Sequence, residues 1–315
     1  MAALAVLAIA GLYVAYAGWR VSSALDTILR AGTPLAQGEG QPVARRPEDI
    51  GYVGDPGEAF GYPFETVAIN TELGPAPAWV VQPETLSDSR WAIIVHGIGG
   101  RRENGYRFLP VLRSAGLPAL VISYRNDVEA PPSPNGLYSL GLTEWRDLEA
   151  AVRLALGRGA SGVVLVGESM GGAIIGQFLH RSDLASEVEA LVLDAPMIDV
   201  GSTLSALLAR LGVPLPEMST WVGLRLRSLN YPIDLKEAVV IGELAGFAGP
   251  LFISHGVGDR IVSVASSDRL VEIRDGPTEY LRTDADHIES WKENPRRYDQ
   301  VLAAFLRSLQ PPGLE

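Results

Sequence analysis

The chain has no cysteine. That excludes a thiol nucleophile, a disulfide and a thiolate metal site, and it leaves the redox compartment open. Histidine is scarce, with four in 315 residues, so a catalytic base has few candidates. Positive charge is in deficit too. A net charge of −11 at pH 7 argues against nucleic acid as a partner, because phosphate binding needs a concentrated basic face. No internal repeat or low-complexity tract is visible. Charge is missing altogether from Met1 to Trp19.

This uncharged run is rich in Ala, Leu, Val and Ile, with Tyr13, Tyr16 and Trp19 toward its end. As a helix it would span roughly 27 Å, close to the thickness of a bilayer's hydrocarbon core. Trp19 and Arg20 would then fall at the interface, where an amphipathic ring and a cation are favoured. The expectation is an N-terminal anchor over 1–19, a single pass at the cell membrane that folding of the rest does not require. A Gly-, Pro-, Glu- and Arg-rich linker over 20–61 would follow. A cleaved signal peptide is a second reading, since Ala15-Tyr16-Ala17 has the small-residue spacing of a cleavage site, although no basic segment precedes it. A buried N-terminal helix is the third. Arg20 and Arg30 follow the run and weakly favour a cytoplasmic domain.

With 47% hydrophobic residues in 315, the chain can bury one large α/β core, expected over 62–315. Phe64 to Ile69 and Ala78 to Val81 flank Gly74-Pro75-Ala76-Pro77, which predicts an antiparallel hairpin turning there. Strands and helices then alternate. Strands are expected at Trp91–Val95, Ala119–Ser123, Val163–Val166, Ala190–Leu193, Leu251–Ser254 and Glu279–Arg282. Helices are expected at Thr143–Leu156 with Thr143 as N-cap, at 263–274 and at 295–309. Such alternation builds a mostly parallel sheet with helices on both faces, with ligands at the carboxyl ends of the strands. Residues 197–248 break the rhythm, being far longer than a crossover requires, and read as a helical cap insertion.

Gly167-Glu168-Ser169-Met170-Gly171 fits G-x-S-x-G. The pentapeptide is a weak signal alone, but here a buried strand precedes it and an amphipathic helix follows, which makes a nucleophile elbow with Ser169 at its apex. A serine needs a base within hydrogen-bond reach and a third group to orient that base. His96 and His255 each close a strand within His-Gly, and His180 sits at the far end of the elbow helix. His287, just past the last strand, is left as the base. Asp259, four residues beyond its strand end, is the expected acid, and Ser169, Asp259, His287 is the chain order of G-x-S-x-G enzymes. Asp194 is the competitor. His96-Gly97-Ile98-Gly99-Gly100 follows an earlier strand, where an oxyanion loop belongs, so the backbone amides of Ile98 and Met170 are the expected donors. No cofactor or metal is expected.

On His96-Gly97-Ile98-Gly99-Gly100, Gly167-Glu168-Ser169-Met170-Gly171-Gly172 and His255-Gly256-Val257-Gly258-Asp259, the chain from about Phe64 to Leu309 resembles the α/β-hydrolase superfamily. It is most similar to its membrane-anchored or secreted serine hydrolases. The resemblance implies a carboxylesterase, lysophospholipase, thioesterase or peptidase and does not choose among them. An anchored chain with an apolar insertion favours a small-molecule acyl ester drawn from lipid. A peptide or amide substrate, acyl transfer, and a membrane-anchored binding module without turnover are the alternatives. Leu204, Leu207, Leu208, Leu211, Met218, Trp221 and Leu224 are available to line an acyl pocket, although cap helices need a core of their own.

Overall fold

Short runs of buried Val, Ile and Leu set the sheet, since β-branched and aliphatic side chains fill a pleated surface covered on both faces. The computed structural model describes residues 1–33 and 44–310. In chain order its strands are β1 (Phe64–Thr71), β2 (Gly74–Val81), β3 (Trp91–Val95), β4 (Ala119–Ile122), β5 (Val163–Glu168), β6 (Val188–Asp194), β7 (Leu251–Gly256) and β8 (Thr278–Thr283). They form one sheet in the order β1-β2-β4-β3-β5-β6-β7-β8. Pairing is antiparallel at β1–β2 and β2–β4 and parallel from β4 to β8. The mostly parallel α/β architecture is therefore as the alternation predicts.

The helices are α1 (Ala2–Ile28), α2 (Pro56–Phe60), α3 (Leu109–Ser114), α4 (Trp145–Gly157), α5 (Met170–Arg181), α6 (Val200–Arg210), α7 (Pro216–Asn230), α8 (Ile241–Gly246), α9 (Val264–Ile273), α10 (Ser290–Glu293) and α11 (Pro295–Ser308). Two buried clusters cover opposite faces of the sheet. One joins α4, α5 and the end of α1 to Ile93, Leu165 and Leu191. The other joins α3 and α11 to Ile94, Val164 and Phe252. Helices α6, α7 and α8 all fall between β6 and β7, in the expected insertion.

Three local differences have physical causes. The hairpin turns at Glu72-Leu73, and Gly74 to Pro77 lie inside β2, paired with β1. Proline is tolerated there because the nitrogens of Pro75 and Pro77 face away from β1: Pro77 O accepts from Ser123 N at 3.1 Å on the β4 side, so the pairing with β1 loses no bond. Within the expected linker, the described part from Ala44 is packed rather than loose. Tyr106 donates its hydroxyl to Gly54 O at 2.7 Å, Phe60 stacks on Tyr62 at 4.9 Å, and α2 is closed by a capping box between Asp55 and Glu58. Finally, α1 runs past Trp19 to Ile28, and Val14, Ala17, Gly18, Val21 and Leu25 are buried against the domain. A hydrophobic run shows only that it avoids water; which side chains meet protein depends on the partner helix, here α7. By length and composition α1 could cross a membrane, a test that an anchor and a signal sequence both meet.

Candidate active site

The elbow is built from strain and close approach. Ser169 has φ 51° and ψ −114°, a region that L-residues populate rarely and that costs about 1–3 kcal/mol. What holds it there is the backbone around it. Ser169 N donates to Asp194 O at 3.0 Å, while Ser169 O accepts from Gly172 N at 3.0 Å and Met197 N at 2.9 Å. The glycines on either side are sterically required. A Cβ at Gly167 would stand 2.6 Å from Ile175 Cδ1, and one at Gly171 would stand 2.2 Å from Val95 O. The side chain of Ser169 thereby projects beyond the carboxyl end of β5, next to the point where chain order reverses between β3 and β5.

His287 follows β8 and Asp259 follows β7, and the fold brings both to Ser169. His287 Nε2 is 2.9 Å from Ser169 Oγ, and His287 Nδ1 is 2.7 Å from Asp259 Oδ2. Asp259 is fully buried, and its Oδ1 accepts from Ile261 N and Val262 N at 2.8 Å each. Burial alone would raise its carboxyl. Hydrogen bonds from His255 and His287, the charge on His287 and the Ile261 amide outweigh burial and hold it well below the usual carboxylate range. Asp259 is therefore a carboxylate that can only accept, so His287 Nδ1 carries the hydrogen toward it. His287 Nε2 is then free to accept from Ser169.

Asp194, the competing acid, is engaged elsewhere. It lies under the elbow, fully buried, with Oδ2 2.7 Å from Arg107 Nη2 and Oδ1 accepting from Ser254 Oγ at 2.8 Å. Arg107 Nη1 is also 2.7 Å from Glu168 Oε2, so one guanidinium neutralises two buried carboxylates directly beneath the serine. Burial works to lower the Arg107 pKa, but the charges of Glu168 and Asp194 prevail and raise it. No local pattern announces this network, because Arg107, in a 3-10 turn over Arg102–Phe108, is far along the chain from both partners. His255 does more than close its strand: its Nε2 is 3.1 Å from Asp259 Oδ2, with Nδ1 2.7 Å from Ser267 Oγ. The four-residue spacing of His255 and Asp259 across a tight turn was the available signal.

The loop from His96 to Gly100 passes against the elbow. A Cβ at Gly97 would stand 3.0 Å from Ser169 Cβ and 3.6 Å from Ser169 Oγ, which puts Ile98 and Met170 on chain segments flanking the hydroxyl. His96 fixes the loop from beneath. Its Nδ1 is 2.8 Å from Gly97 O, its Nε2 is 2.9 Å from Asp127 Oδ2, and its ring stacks on Tyr124 at 4.4 Å. Burial would lower the His96 pKa, and the charge and hydrogen bond of Asp127, the Gly97 carbonyl and the charge of Glu168 together outweigh it and raise it. His180 is exposed, with Glu243 3.3 Å away. Of the insertion's apolar residues, Leu224 is buried in the core and Leu204 and Leu208 pack against it, whereas Leu211, Met218 and Trp221 face outward. Among the described residues, no cluster of His, Asp and Glu could hold a metal ion.

A family model described as the alpha/beta hydrolase family matches residues 92–311. No curated protein matches the sequence. Solved structures do match in fold. An esterase of Pyrococcus furiosus aligns with a TM-score of 0.62 at 21% identity over 84% of this chain and 99% of its own. A hyperthermophilic esterase of Pyrobaculum calidifontis aligns with a TM-score of 0.57 at 18% identity over 79% and 87%. A membrane phospholipase A described as a bacterial virulence factor aligns with a TM-score of 0.57 at 17% identity over 78% and 86%.

Proposed function

The chain belongs to the alpha/beta hydrolase family, and from that premise we propose that it is a serine hydrolase cleaving a carboxylic ester or thioester through an acyl-enzyme. The single observation that carries the reading is the unbroken hydrogen-bonded path from Ser169 Oγ through His287 to Asp259. In the proposed mechanism His287 Nε2 takes the proton as Ser169 Oγ attacks the carbonyl carbon, and Asp259 stabilises the imidazolium formed. The amides of Ile98 and Met170 hold the tetrahedral oxyanion, each contributing about 3 kcal/mol. His287 then protonates the leaving alcohol, and water attacks the acyl-serine by the same route in reverse.

The substrate is an acyl or lipid-derived ester. The neighbours named as esterases and as a membrane phospholipase A agree with an ester bond. A membrane source fits α1, read as the anchor of the enzyme, whose first half exposes Leu4, Leu7, Ile9 and Leu12. The test is covalent labelling by a fluorophosphonate together with hydrolysis of a short water-soluble ester. Ser169→Ala should abolish labelling and cut kcat by about 10⁴ or more. Full labelling of that variant would exclude Ser169 as the nucleophile.

A further inference from the structure

We propose that the insertion docks on lipid: the α6–α7 turn and the start of α7 sit in the headgroup zone of a bilayer, held at that depth by α1. The inference rests on the reading of α1 as an anchor. It follows from how the two helices pair. A Cβ at Gly18 would stand 2.4 Å from Val222 Cγ1, and one at Gly223 would stand 2.6 Å from Val21 Cβ, so the backbones touch. Further along, Asp26 accepts from Tyr231, and Arg227 Nη1 is 3.4 Å from Asp26 Oδ1. Residue numbers rise together on both helices, so the pair is parallel. The start of α7 therefore points the same way as the exposed apolar half of α1.

That start is apolar and exposed. Met218 is 55% and Trp221 is 64% exposed, and Leu211 and Leu215 are exposed just before them. From Leu211 to Leu224 the only charged residue is Glu217, and charge on α7 resumes at Arg225. On α1 the first charge is Arg20, beside the Gly18 contact. Apart from Glu217, both helices pass from apolar to charged at one level, as a membrane boundary favours. Trp221 falls near that boundary, where an indole is favoured, and the Glu217 carboxylate limits the depth to what reaches headgroups.

Pairing sets the depth. The stretch of α1 from Ala2 to Leu12 has no buried residue, and the paired stretch that follows it brings the start of α7 to the level at which this exposed stretch leaves the lipid. The site lies at the same rim. Arg210 Nη1, at the end of α6, donates to Asp259 O at 2.6 Å, and the Asp259 loop exposes Val257 and Ile261. The substrate class this geometry selects is an amphiphilic acyl ester lying in the bilayer, its ester group at headgroup depth.

The test uses the full chain with vesicles of brominated phosphatidylcholine, which quench tryptophan on contact. Trp19 and Trp221 are the exposed ones among six. Trp19→Phe should retain a quenched component that Trp19→Phe/Trp221→Phe lacks. Trp221→Glu should lower hydrolysis of a vesicle-borne acyl ester about tenfold relative to a soluble short ester, a ratio that partial misfolding leaves alone. Equal quenching of the single and double variants, in protein that sediments with the vesicles, would overturn the docking alone. Failure to sediment would overturn the docking and the anchor together. Absence of hydrolysis on either ester would refute the proposed activity, while the quenching would still decide the docking.

Discussion

Gly171→Ala adds one methyl group where the elbow touches the sheet, and its effect can be worked out from the contact. The new Cβ would lie 2.2 Å from Val95 O, against 3.4 Å or more for ordinary contact, so the elbow and β3 must separate by about 1 Å. Val95 cannot yield, because it pairs with Gly167 in the middle of the sheet. The displacement opens between Ser169 and the loop from His96 to Gly100. A misplacement of about 1 Å at a reacting centre costs on the order of 100-fold, equivalent to about 2.7 kcal/mol. Overpacking should lower stability by about 1–3 kcal/mol, leaving the chain folded at 25 °C. The assay is kcat/KM on a soluble short ester, normalised to the folded fraction by circular dichroism. Gly157→Ala, at a helical position with nothing within 4 Å, is the control and should be neutral or slightly stabilising. If Gly171→Ala keeps kcat/KM within threefold of wild type, the claim that this contact positions the nucleophile is wrong.

Other outcomes follow from the same geometry. Arg107→Met strands Glu168 and Asp194 as buried carboxylates and should cost about 3–5 kcal/mol in urea unfolding, partly restored by adding Glu168→Gln; no partial rescue would mean that charge is not the cause. Asp259 is held ionised by the fold, so its stabilising contribution is complete above the unfolded value of about 3.9 and is lost as pH falls through the lower folded value. Asp259→Asn should therefore be less stable than wild type at pH 7, with the gap closing below about pH 4, and a pH-independent gap would contradict this. Deleting residues 1–31 uncovers Leu224 and the face of α7, so the truncated chain should melt several degrees lower than the full one in detergent; equal melting would show that the packing of α1 adds nothing.

The sheet could be read from the sequence because buried parallel strands are continuous apolar runs, and Val163 to Val166 or Leu251 to Ser254 leave little choice. The three residues now found together could be read as well, because each follows a strand end and the motifs fix their order. What could not be read depends on contacts distant in sequence. Pro75 and Pro77 imitate a turn, and only the direction of their nitrogens, away from β1, makes them acceptable in a strand. Thr143 has the side chain of an N-cap, yet the helix starts after Glu144, whose buried carboxylate accepts from Ser139 N at 2.7 Å and Gly141 N at 3.0 Å. Arg107, Glu168 and Asp194 come from three separate segments, so no local pattern announces their pairing. The outward turn of Met218 and Trp221 is a matter of helix rotation, which apolar content alone does not determine.

The parallel pairing of α1 with α7 has a consequence in time. More than half of the chain separates the two helices, so at about 5–20 residues per second α1 is complete some 10–40 s before α7 is made. During that interval the face bearing Gly18 and Val21 is without α7, which closes on it only once it has been made. The strands from β1 to β6 are synthesised before the insertion, and β7 and β8 after it. A nascent chain arrested just after β6 would hold the Ser169 elbow without Asp259 or His287. The set of Ser169, Asp259 and His287 is therefore incomplete until α6 to α8 have been made.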